Sequence, residues 1–110
     1  MRKLQIDELH LTLKKKWFNM ILSGEKKEEY REDKTYWRAR FTEPGSHPPV
    51  LIKSPKRIVF TNGYGHHRPQ ITIECLGLGL NFSRHPEWGG DTKNLQFILR
   101  LGEILETKNV

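Results

Sequence analysis

Three side chains of mixed charge fall within six positions: Lys26, Glu29 and Arg31, in the run Ser23-Gly24-Glu25-Lys26-Lys27-Glu28-Glu29-Tyr30-Arg31. Brought together, an ammonium, a carboxylate and a guanidinium bind a phosphate, a carboxylate or the polar edge of a base. In such a site Lys26 and Arg31 contact phosphate or carbonyl oxygens, and Glu29 accepts from an exocyclic amine. Two plainer roles stand beside this one: a structural Glu29–Arg31 ion pair that shapes a cleft, and a solvated charge run.

A second group mixes aromatics with arginines: Tyr30, Tyr36, Trp37, Arg38 and Arg40. Single-stranded nucleic acid binds by stacking its bases on aromatic rings and arginine planes. Tyr36, Arg38 and Arg40 are candidates for that contact, whereas Trp37 and Phe41 suit docking of a helix on the core. A third group is the polar turn Asn62-Gly63-Tyr64-Gly65-His66-His67-Arg68. Its position after a core strand makes Asn62, Tyr64 and His66 candidates for lining a cleft. The adjacent histidines do not make a metal site, because neighbours on a strand face opposite ways and no carboxylate or cysteine stands at ligand spacing. Lys14-Lys15-Lys16 either touches phosphate or begins a helix whose dipole it opposes. Trp88, before Gly89-Gly90, either packs over one end of the fold or lines the cleft.

These residues need elements to hold them. Leu4 to Leu13 alternates as a strand, and Lys14 to Ser23 has helical spacing, with Leu13, Trp17 and Ile21 four apart. Gly24 then suits a left-handed helix end. Lys26 to Glu32 reads as an exposed or half-buried strand with Glu29 and Arg31 on one face. Asp33 is placed to cap a helix over Lys34 to Phe41. Residues 42–56, with five prolines and glycines, read as a long loop. Arg57 to Asn62, Gln70 to Leu80 and Leu95 to Leu105 read as strands, with Gly77 and Gly79 marking a bend. The order of elements gives an α+β domain whose strands form a curled sheet or small barrel.

At 110 residues the chain suits one domain. It has no apolar run long enough to span a bilayer. Met1-Arg2-Lys3 leads into Gln5, Asp7 and Glu8 rather than an apolar signal segment, so a cytoplasmic, membrane-free protein is expected. The single Cys75 excludes a disulfide framework and cysteine-rich zinc modules; it suits a reducing compartment and a buried, inert position. The net charge is +6, and all of it arises in residues 1–57, which hold fourteen basic and eight acidic side chains. A lopsided basic balance points to a polyanionic partner.

Gly24, Lys26, Glu29 and Arg31 together read G-x-K-x-x-E-x-R, which resembles the motif of the ASCH domain family, a branch of the PUA-like folds. His10-Leu11-Thr12-Leu13 ahead of the helix, Glu87-Trp88-Gly89, and Phe97 to Gly102 near the end are similar to that family as well. The resemblance covers most of residues 1–110. It implies a small PUA-like β-barrel of about five to six strands flanked by short helices, with a cleft lined by the motif. It implies RNA or a modified nucleoside or nucleotide as ligand, without cofactor or metal. It also implies two enzymatic alternatives, a ribonuclease and an amidohydrolase acting on N4-acetylcytidine. In the amidohydrolase branch Lys26 would be catalytic: with its pKa lowered by desolvation or by a neighbouring cation such as Arg31 it would act as a general base, with Glu29 positioning water or shuttling a proton. Glu29 stands where that branch has threonine, and Glu87 is the candidate for its later glutamate. Ser54-Pro55-Lys56-Arg57 replaces the family's Gly-Asp before the central strand. A protein-interaction adaptor is the alternative from a different class.

Overall fold

The computed structural model describes residues 5–110. Strand β1 (Glu8–Leu13) buries Leu9, Leu11 and Leu13 and turns His10 outward, as period-two alternation requires. The Leu4 start expected for it lies outside the described residues, and Gln5 makes only an isolated bridge with Lys53. Helix α1 (Lys15–Leu22) buries Phe18 and Ile21 and leaves Trp17 and Leu22 partly covered. It ends as its sequence demands: the Ser23 and Gly24 amides donate to the Asn19 and Ile21 carbonyls at 3.0 Å. Gly24 takes φ +85°, a left-handed conformation that costs a side-chain-bearing residue about 1–2 kcal/mol.

Strand β2 (Glu28–Glu32) follows, then helix α2 (Thr35–Phe41). The expected Asp33 cap is not formed. Its carboxylate instead accepts from Arg38 Nε at 2.5 Å and Nη2 at 3.0 Å, so Lys34 precedes the helix without a side-chain cap. A bidentate guanidinium pair outcompetes a capping bond to a backbone N–H. Trp37 stacks on Phe41, whose ring meets Phe97, so these two aromatics dock α2 on the core as expected. The stretch 42–56 is held against the domain, with Thr42 bridging Leu51 and with Ile52 and Pro55 buried.

Strands β3 (Arg57–Asn62), β4 (Gln70–Asn81) and β5 (Gln96–Lys108) complete one five-stranded sheet, in the order β1-β3-β4-β5-β2. Only β1 and β3 run parallel; the other neighbours are antiparallel. The register between β4 and β5 shifts three times from Thr72 to Gly77, just ahead of the glycines expected to mark the bend. Such irregularities increase local twist and bend the strand. The result is a curled half-barrel with two short helices, an α+β fold. Its core joins Leu11, Phe60, Ile71, Phe97 and Leu99 from the sheet with Phe18 and Ile21 from α1 and Phe41 from α2. Among the described residues no helix is long and apolar enough to cross a membrane.

Candidate functional site

The turn at Gly24 reverses the chain so that the Lys26 amide donates back to the Met20 carbonyl at 3.0 Å. The Lys26 side chain is thereby aimed inward, and it is 1% exposed. Its ammonium lies over the rings of Tyr30, at 4.6 Å, and Trp17, at 5.2 Å, and donates to the Trp88 carbonyl. Glu29 is 4% exposed and places Oε1 at 3.4 Å from Lys26 Nζ. Its other oxygen, Oε2, accepts from Arg31 Nη1. The solvated reading of this charge run is therefore wrong for Lys26 and Glu29, and the structural ion pair between Glu29 and Arg31 is present.

Arg31 does more than pair. Nη1 also donates to the Tyr30 carbonyl at 2.9 Å, and Nη2 donates to the Thr12 carbonyl of β1 at 3.2 Å. The same guanidinium lies 5.2 Å from the Trp37 ring centroid. It thus ties β2 to β1, the opposite edge of the sheet order.

Desolvation pushes the Lys26 pKa below the usual lysine value; Glu29 pulls it back up, and Arg31 adds a smaller push down. The direction is the one a general base needs, but its main cause is burial rather than the neighbouring cation. Burial likewise pushes the Tyr30 phenol well above its ordinary value, with its hydroxyl donating to Glu28 at 2.8 Å.

Above the cluster opens a cleft of about 240 Å³, walled by Thr12, Trp17, Glu29, Arg31, Trp88 and Gly89. Trp88, whose place the sequence leaves open, lines the cleft; its ring stacks on His85 at 3.9 Å, and its carbonyl holds Lys26. Gly89 has φ +90°, and a β-carbon there would lie 3.0 Å from Trp17, so glycine lets the loop close on the indole. Trp17 was legible only as part of an apolar helix face; its ring forms the cleft wall because it lies at the margin of that face.

The other sequence candidates scatter. Tyr36, Arg38 and Arg40 sit on exposed turns of α2, with Arg40 over the Tyr36 ring at 3.7 Å and Arg38 committed to Asp33. None of the three lines the cleft. Asn62 does not line the cleft, although it pairs in register with Leu13, which does. Tyr64 is 82% exposed, and neither it nor His66 lines the cleft, which corrects the expectation for that turn. Glu87, the candidate later glutamate, is exposed and bonded to His85 Nδ1 at 2.8 Å. Among the described residues no group of His, Cys, Asp and Glu is placed to hold a metal.

Sequence reasoning missed a wider cleft on the far side of Arg31, of about 710 Å³, which shares Tyr30, Arg31 and Gly89 with the first and adds Phe82, Lys93 and Asn94. The available signal was Phe82, an aromatic set in a polar loop between Asn81 and Ser83. Compared with known proteins, the chain matches no family model, no curated protein and no solved structure.

Proposed function

We propose that this chain is a PUA-like, ASCH-type domain that binds a nucleobase, of RNA or of a modified nucleoside, in the cleft above Lys26, Glu29 and Arg31. The observation that carries this reading is a buried, charge-fixed carboxylate beside a guanidinium in the floor of a cleft with tryptophan walls. A carboxylate next to a guanidinium offers an acceptor beside a donor, which complements a cytosine edge with its N4 amine and its carbonyl oxygen. Two of the carboxylate's roughly four acceptor positions are used by Lys26 and Arg31, which leaves capacity for an amine. Trp17 and Trp88 supply faces for stacking. Lys26 acts from beneath by holding Glu29 in place, not by touching the ligand.

Calorimetric titration with cytidine, uridine and short single-stranded RNA tests the reading. Cytidine binds more tightly than uridine, and Glu29→Gln abolishes that preference. RNA affinity falls steeply with salt. Absence of binding by all three ligands at millimolar concentration overturns it.

One observation favours a second reading, the amidohydrolase: burial holds the Lys26 pKa low. Water would add to the acetyl carbon of N4-acetylcytidine with its proton passing to Lys26; the acetyl C–N4 bond then breaks as Lys26 gives that proton to N4, yielding acetic acid, which ionises to acetate, and cytidine. Chromatography of N4-acetylcytidine incubated with purified protein decides it, and no conversion at high protein concentration removes the hydrolase.

A further inference from the structure

We infer that the nucleobase cleft is half of a two-unit site, and that its ligand is a single-stranded oligonucleotide rather than a free nucleoside. The inference rests on the nucleobase reading of the first cleft and extends it. The two clefts are not separate depressions: Tyr30, Arg31 and Gly89 form a wall common to both. A ligand with a base beside Trp17 and Trp88 must pass Arg31 to continue. Of the Arg31 donors, Nη1 is spent on Glu29 and the Tyr30 carbonyl; Nη2 gives one of its two N–H groups to the Thr12 carbonyl and keeps the other for the base, while Nε has no partner among the described residues. A guanidinium with a spare N–H between two basins is where a linking phosphate is held.

The second basin has the chemistry of a second base subsite. Phe82 lines it and is 49% exposed, a large ring left in water that a stacked base would cover. The basin also contains acidic groups, but each is already engaged. Glu32 pairs with Lys34 at 2.9 Å and Asp33 with Arg38 at 2.5 Å. Asp91 accepts from the Lys93 and Asn94 amides and from the Asn94 side chain. Lys93 has no carboxylate within ion-pair distance among the described residues; its charge acts on Asp91 only from further off, so its ammonium can turn to a phosphate at the basin. The two basins and their shared wall thus supply aromatic rings, Trp17 and Trp88 in one and Phe82 in the other, and two cations, Arg31 and Lys93, for the bases and phosphates of a strand.

Calorimetry with cytidine and with the dinucleotides CpA, CpC, CpG and CpU tests this. The dinucleotides bind about tenfold more tightly than cytidine, since a stacked base is worth roughly a 5- to 160-fold gain. Phe82→Ala and Lys93→Gln each remove most of that gain and leave cytidine binding unchanged; both residues are exposed, so the variants fold. Equal affinity for cytidine and every dinucleotide overturns the two-unit site while the nucleobase cleft stands, as does a gain that survives both substitutions. If neither cytidine nor any dinucleotide binds, the nucleobase reading fails and the second subsite fails with it.

Discussion

Glu29 is the residue on which the site depends, because it holds two cations that burial alone would disfavour. Removing it leaves the Lys26 ammonium without a compensating charge, and breaking a buried pair from one side costs about 3–5 kcal/mol. Glu29→Ala is therefore expected to be destabilised by that order in urea denaturation. The pH dependence follows from Lys26. Its folded-state pKa lies below the unfolded value, so between the two the unfolded chain binds more protons and stability rises with pH. Compared with Lys26→Met, the wild-type protein gains stability as pH rises from its lowered folded value toward the ordinary lysine value of 10.5. Urea midpoints for both proteins across pH 7 to ~10 measure the difference; parallel curves would count against the buried ammonium. The involvement of Lys26, Glu29 and Arg31 was legible from their spacing. The depth of Lys26 was not, because its cover comes from the carbonyl of Trp88, a residue 62 positions away.

At the scale of elements, two glycines carry the geometry. Gly24→Ala is expected to cost about 1–2 kcal/mol through its φ of +85°, with Gly24→Asn recovering part of it, since asparagine tolerates that region better. Gly89→Ala adds to the same strain a β-carbon 3.0 Å from Trp17, so it should lower stability further and shift tryptophan emission as the indole moves. Chemical denaturation followed by fluorescence reads both effects. The elements themselves were legible where the pattern was dense. Arg57 to Asn62 is a strand with the expected ends, because Ile58, Val59 and Phe60 are all buried and β-forming. Expectation stopped short at Leu105, while β5 runs on to Lys108. Its exposed end, Glu106-Thr107-Lys108, is strand only because Thr72, Ile71 and Gln70 of β4 pair with it, which no local pattern announces. The start of α2 was misplaced for a related reason: a good capping residue, Asp33, had a better partner five positions on.

Across the whole molecule, charge is organised unevenly. Glu8, beside Arg57; Asp33, beside Arg38; Glu87, beside His85; and Asp91, beside Asn94, all have carboxyl pKa values held below the ordinary range by those hydrogen bonds. Groups with lowered folded-state pKa values contribute stability above their unfolded values near 4 and lose it as pH falls through the folded ones. The urea midpoint should therefore drop below about pH 4, which an acid titration of unfolding checks. Of the +6 excess, assigned from sequence to residues 1–57, one unit is held in the cluster where Lys26 and Arg31 share Glu29, while Arg38 is neutralised by Asp33.

The sheet leaves β1 and β2 at its two ends, joined between strands by the Arg31 guanidinium reaching Thr12 and by no backbone ladder among the described residues. Four strand junctions are stitched along their length; the fifth is buttoned at one point. Compliance is concentrated there, beside the groove, so a guest that recruits the same guanidinium works against, or with, the spring that sets the gap. If the proposed ligand fills the groove, drawing the two edges of the half-barrel together becomes part of the same event, and backbone amides of Thr12 and Arg31 should report it first, through slower hydrogen exchange when the ligand is added.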